Sequence, residues 1–168
     1  MKTRIGFFVF LISVFSLQSC GVYSFTGGII PPEAKTVSVL YFKNNAPIVS
    51  PTLSQSLTDI VKDKFSSQTN LSLVPKNGDL HFEGEITNYS VQPVAIQSND
   101  QAALNRLTIT INVRFTNKFD ETKNFESNFS RYAEYPSTQS LNTVQDALME
   151  TINKELADDI FNKAVVNW

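Results

Sequence analysis

The apolar positions of this chain change period several times, and each change marks an element. Thr36 to Phe42 is a β-branched and aromatic run that reads as a strand. Leu53, Leu57, Ile60, Val61, Lys64 and Phe65 then recur at steps of three and four, which predicts an amphipathic helix reaching about Ser67. Ser50 as N-cap and Pro51 at the first helical position would open it. Leu71 to Val74 predicts a short strand, ended by a turn from Pro75 to Gly78. From Asp79 to Val91 the period is two: Leu80, Phe82 and Ile86 alternate with polar residues, then Tyr89 and Val91 continue on the opposite parity. That change of parity predicts a bulge near Thr87 and Asn88. Pro93 to Ala103 has no clean period and reads as a mobile loop.

The clearest strand follows. Leu107, Ile109, Ile111, Val113 and Phe115 face one way, and Thr108, Thr110, Asn112, Arg114 and Thr116 the other. Asp120 to Asn124 turns the chain into a strand from Phe125 to Ala133. Pairing Phe115 with Phe129 and Phe119 with Phe125 keeps all four rings on the buried side. Arg131 then either falls on the apolar side or is re-aimed by a second bulge. From about Thr143 to Val166, Val144, Leu148, Ile152, Leu156 and Ile160 predict a second amphipathic helix, flanked by Ala147, Phe161 and Lys163, with Asn142 and Gln145 as a capping box. The order β-α-β-β-β-β-α makes an α+β domain: a single mixed β-sheet with two amphipathic helices packed on one face, a two-layer α/β sandwich.

The first residues have a different pattern. Lys2 and Arg4 precede an uncharged apolar run, Ile5 to Leu17, too short for the roughly 20 residues of a membrane span. Leu17-Gln18-Ser19-Cys20 has the form of a lipobox followed by Gly21, with Gln18 a departure from the commonest pattern. The expectation is a signal peptide over 1–19, a lipidated Cys20, a tether rich in Gly and Pro over 20–35, and a folded domain over 36–168. Cys20 is the single cysteine, and a thioether to diacylglycerol would remove a thiol that has no partner. Disulfides therefore cannot staple the fold, and packing must hold it.

Charge and chemistry narrow the function. Loss of Lys2 and Arg4 moves the net charge from −2 to about −4, and no Lys or Arg run exists, which excludes a nucleic-acid partner. His81 is the only histidine and falls on the polar parity of its strand, where it reads as a solvated residue. No serine sits in a nucleophile-elbow pattern, and no second His or free Cys supports a zinc site. Glu83 and Glu85 share a strand face, Asp120/Glu121 and Asp158/Asp159 are adjacent pairs, and all three read as solvated carboxylates. No enzyme activity, cofactor or metal is expected. What remains is the polar strand face: Arg106, Thr108, Thr110, Asn112 and Arg114 suit either plain solvent or a flat hydrogen-bonding contact with a partner or glycolipid.

Longer stretches carry a family resemblance: Cys20 to Gly28, Gly78 to Ile86, Ala103 to Asn117, Phe129 to Tyr135 and Asp159 to Trp168. Together they resemble the Bacteroidetes branch of the LptE family of lipopolysaccharide-assembly lipoproteins. The resemblance implies an outer-membrane lipoprotein facing the periplasm, which plugs an LptD-type β-barrel translocon and helps to place lipopolysaccharide in the outer leaflet. The basic glycolipid contacts of relatives in other phyla have no matching positions here and are not carried over. The alternative reading is a lipid- or glycan-binding carrier lipoprotein that works without a barrel and needs a concave apolar pocket.

Overall fold

The structure is a computed structural model and describes residues 30–48, 50–96 and 102–165. The signal segment, Cys20 and the chain up to residue 29 lie outside the described residues. Six strands and two helices follow: β1 Thr36–Val39, β2 Lys43–Asn44, α1 Leu53–Gln68, β3 Ser72–Leu73, β4 Leu80–Ile96, β5 Ala102–Asn117, β6 Phe125–Pro136 and α2 Leu141–Val165. β1 takes up only Thr36 to Val39 of the predicted run to Phe42, and β2 begins just after that run; both are parallel to β4. The sheet order is β3-β1-β4-β5-β6, with β3 parallel to β1, and β5 antiparallel to both β4 and β6. Both helices pack on one face, α1 over β1 to β3 and α2 over β5 and β6. This is the α+β architecture that the hydrophobic pattern predicts.

The two layers close over an apolar interior. Phe42, Leu57, Val61, Phe65, Phe82, Ile109, Ile111, Ile152, Leu156 and Ile160 are fully buried between helices and sheet. Rings form a continuous run through them: Phe161 to Phe65 at 5.2 Å, Phe65 to Phe82 at 4.6 Å, Phe82 to Phe115 at 4.7 Å, and Phe115 to Phe125 at 5.2 Å. The run joins α2, α1, β4, β5 and β6, so it ties both layers together. The helices run in the same direction, since Gln145 meets Ser50, Asn153 meets Ser56 and Phe161 meets Phe65. Gly84 lets β4 pass under this core, because a Cβ there would lie 2.6 Å from the Phe42 ring and 2.5 Å from the Asn112 carbonyl oxygen.

The bulge falls where the change of parity put it, with the β4–β5 register shifting between Ile86 and Asn88. Four other expectations are corrected. The segment Pro93 to Ala103 is largely ladder, not loop: β4 runs to Ile96 and β5 begins at Ala102, with residues 97–101 outside the described residues. Further register shifts around Ala95 scramble the period of two, which hid the strands. Pro93 is tolerated because β1 and β2 pair with β4 only as far as Ile86, so β4 is an edge strand beyond that point. The β5–β6 register pairs Phe115 with Phe125 and Ile111 with Phe129, since β5 ends at Asn117 and residues 118–124 form a longer connection.

The two helix starts differ as well. Thr52, not Ser50, precedes α1, and its side chain makes no capping bond. The Ser50 hydroxyl instead donates to Met149 Sδ and accepts from Gln145 Nε2, which joins the two helices. Asn142 lies inside α2, which begins at Leu141, so Asn142 and Gln145 form no capping box. The β5–β6 ladder has no bulge, and Arg131 lies on the helix side, where its guanidinium takes both Asp159 oxygens at 2.6 Å.

Candidate functional site

The face of the sheet away from the helices brings together all five residues that the strand pattern singled out. Arg106, Thr108, Thr110, Asn112 and Arg114 stand opposite Glu134, Tyr132, Ser130, Asn128 and Glu126 of β6. On the other side of β5 they face Gln92, Ser90, Asn88, Glu85 and Glu83 of β4. The result is three polar rows on one surface, produced by the period of two in each strand and by the register between them.

The rows satisfy one another. The Arg106 guanidinium donates to Glu134 at 2.6 Å, and its carbon lies 4.0 Å above the centroid of the Tyr132 ring. Arg114 donates to Glu83 at 2.9 Å and to Glu126 at 3.2 Å, and hydrogen bonding to Glu126 above all holds its guanidinium more firmly protonated than usual. Between these ion pairs, Thr110 and Ser130 hydroxyls meet at 3.0 Å, and Asn112 donates to Asn128 at 3.0 Å. Each cation is therefore matched by a carboxylate, so the face is not a basic patch that would hold a polyanion by charge. It offers donors, acceptors and one half-exposed aromatic ring, Tyr132.

The β6 half of this surface, Glu126 to Glu134 on even positions, was not singled out from sequence. Its signal was the alternation of polar even positions with Phe125, Phe129 and Ala133, which a correct hairpin register would have placed beside β5. Glu83 and Glu85, read as solvated, are engaged: Glu83 with Arg114, and Glu85 with the Asn45 amide. Asp158 and Asp159 likewise pair with Lys64 and Arg131.

His81 also departs from the solvated reading. Its Nδ1 lies 2.6 Å from the Ser38 hydroxyl, which accepts the Gly78 N–H at 2.9 Å. Ser38 is fully buried, so this pair cannot present a nucleophile to a substrate and serves to join β1, β4 and the turn before β4. Beside it, the Asp79 carboxylate accepts the Lys35 and Thr36 N–H groups at 3.0 and 3.1 Å and the Thr36 hydroxyl at 2.8 Å. These bonds, the Lys35 N–H foremost, hold the carboxyl down to about 2. Among the described residues, no group of His, Cys, Asp and Glu is arranged to hold a metal ion, and no helix is long and apolar enough to cross a membrane.

Fold and surface together define a class: a two-layer α+β domain whose built feature is a self-matched polar sheet face, not a reaction centre. The particular family follows from the sequence, for the model of LptE, lipopolysaccharide-assembly, matches residues 34–164, and the chain belongs to that family. It is accordingly a lipopolysaccharide-assembly protein and not an enzyme. Solved structures agree on the fold. Rare lipoprotein B from Shewanella oneidensis has a TM-score of 0.51 at 12% identity, covering 76% of this chain and 92% of its own. A hypothetical protein from Chlamydia trachomatis has a TM-score of 0.51 at 9% identity, covering 80% and 100%. No curated protein matches the chain in sequence.

Proposed function

We propose that this chain is an outer-membrane lipoprotein, acylated on Cys20 and facing the periplasm, which plugs and steadies an LptD-type β-barrel during lipopolysaccharide export. The observation that carries the reading is the open sheet face with its three matched polar rows. The lumen of a transmembrane barrel is polar and hydrogen-bonds to whatever fills it. A surface whose charges are already paired enters such a space without leaving an unmatched ion behind. Arg106, Thr108, Thr110, Asn112 and Arg114, with Tyr132 among them, are the proposed contacts with the barrel wall. Because both arginines are committed to carboxylates, the surface favours a protein partner over the phosphates of the glycolipid.

A carrier working without a barrel would need room for an acyl chain or sugar between its layers, whereas large side chains fill the space between helices and sheet among the described residues. Affinity recovery from mildly solubilised outer membranes tests the proposal. The tagged protein is expected to bring down a large barrel at a fixed ratio, and its depletion is expected to lower the amount of folded translocon. Normal translocon and surface glycolipid after depletion would falsify the plug role.

A further inference from the structure

The sheet has two edges, and the sequence treats them differently. On one side β3 is only 2 residues long, and β4 beyond Ile86 carries Pro93 and shifts of register around Ala95. Short strands, proline and bulges are the usual means by which an edge is kept from pairing with a foreign strand. On the other side β6 has none of these. It is 12 residues long, its ladder to β5 is unbroken, it contains no lysine, and its one proline, Pro136, is its last residue.

An antiparallel strand turns the N–H and C=O groups of alternate residues to opposite sides. β6 has β5 on one side alone, and among the described residues no backbone group bonds to its outer row. α2 packs on the helix-side face of β6, through the Arg131–Asp159 pair and through Lys163, whose ammonium lies 5.2 Å from the Phe125 ring centroid. That contact covers a face and leaves the outer row unbonded.

We infer that β6 pairs antiparallel with β6 of a second copy, about a two-fold axis at Phe129, and so joins two sheets into one. The side chains select this register. Both sheets keep their helices on the same side only if even positions face even ones, so the axis passes through a residue. At Ser130 it would set Glu126 against Glu134, and at Arg131 it would set that guanidinium against its own copy. At Asn128 it would set Phe125 against Arg131. At Phe129, Glu126 meets the Tyr132 hydroxyl, Asn128 meets Ser130, Ser127 meets Arg131, Phe125 meets Ala133, and the two Phe129 rings adjoin. Every opposed pair is then compatible in charge and polarity. Lys163 lies nearer the Phe125 ring than the Phe129 ring, so the two ammonium groups fall toward opposite ends of the joint. The pairing uses the edge and leaves the polar rows open, which separates it from the barrel contact proposed above. A lumen that took in the domain would surround this edge as well, so the pair is the state of the chain before a barrel receives it.

The test uses the full-length chain, co-produced with two different tags and purified in mild detergent. One copy carries Asn128→Cys and the other Ser130→Cys, both at exposed positions, and a mild oxidant is added. Facing Cα atoms in such a pair lie about 4.5–5.5 Å apart, within reach of a disulfide. The expected result is a mixed disulfide between 128 and 130 in several-fold higher yield than between copies carrying Ser90→Cys, on β4 and two strands from the edge. Adding Tyr132→Glu, which sets a like charge against Glu126 of the other copy, should lower the yield several-fold, whereas Tyr132→Lys should keep it. Loss of fold would not follow the sign of that charge. A yield no higher than at position 90 overturns the pairing, and a high yield indifferent to the sign at position 132 overturns the register. None of these outcomes depends on recovery of a barrel.

Discussion

Asp79 shows how much one partly buried side chain can organise. Its carboxylate gathers two backbone N–H groups and a hydroxyl from the start of β1, which favours the ionised form and lowers its pKa from 3.8 to about 2. A carboxyl depressed in the folded state adds stability above its unfolded pKa, and that contribution fades as pH falls from about 4 towards 2. Asp79→Asn should therefore lower the denaturation midpoint at pH 7, and the gap between variant and parent should close on acidification to pH 2. Urea titrations at several pH values measure it. Gly84 is a steric counterpart. Gly84→Ala puts a methyl group against a backbone carbonyl and a fully buried ring, and overpacking of this kind costs about 1–3 kcal/mol. Thermal melting of the variant would show the loss, and an unchanged melting temperature would mean that the strand yields there.

At the scale of elements, the aromatic run decides how the layers are held. Phe65 touches Phe82 in the sheet and Phe161 in α2, so it spans three elements. Phe65→Ala should cost about 3–5 kcal/mol, read from the shift in denaturant midpoint at constant slope. The Arg131–Asp159 pair looks equally prominent, with two bonds of 2.6 Å. It is half-exposed, and water screens pairs of that kind, so a double-mutant cycle should give a coupling below about 1 kcal/mol that shrinks in salt. Coupling of several kcal/mol would show that α2 is docked by charge more than by packing. The hairpin shows what a parity argument can resolve. Alternation puts Phe115 on its correct side but cannot separate Phe129 from Phe125 as its partner, because sliding one strand by an even number of residues keeps every side chain on its face. Only the connection, with its Asn117 and Asn124 bonds, distinguishes such registers.

For the molecule as a whole, the proposed function rests on a division of labour between the two sheet faces. The helix side carries the stability, and the open side is free to meet a partner. Arg106→Glu combined with Tyr132→Ala removes the guanidinium stacked on the one half-exposed ring of that face and places like charges opposite each other at Glu134. The pair is expected to reduce barrel recovery at least tenfold while shifting the melting temperature by only a few degrees, since neither side chain is buried. Undiminished recovery would place the barrel contact elsewhere on the domain.

Hydrophobic periodicity by itself determined the two helices, the principal strands, the bulge after Ile86 and the identity of the polar face, because burial on one side imposes a period that survives any detail of packing. The inventory of side chains, with one histidine and one cysteine, likewise pointed away from catalysis. Only the tertiary structure decided which strands lie beside which, that Glu126 and Glu134 neutralise the arginines of β5, and that Ser50 links the helices instead of capping one. Those outcomes depend on contacts between residues far apart in the chain, and local pattern carries no record of such distances.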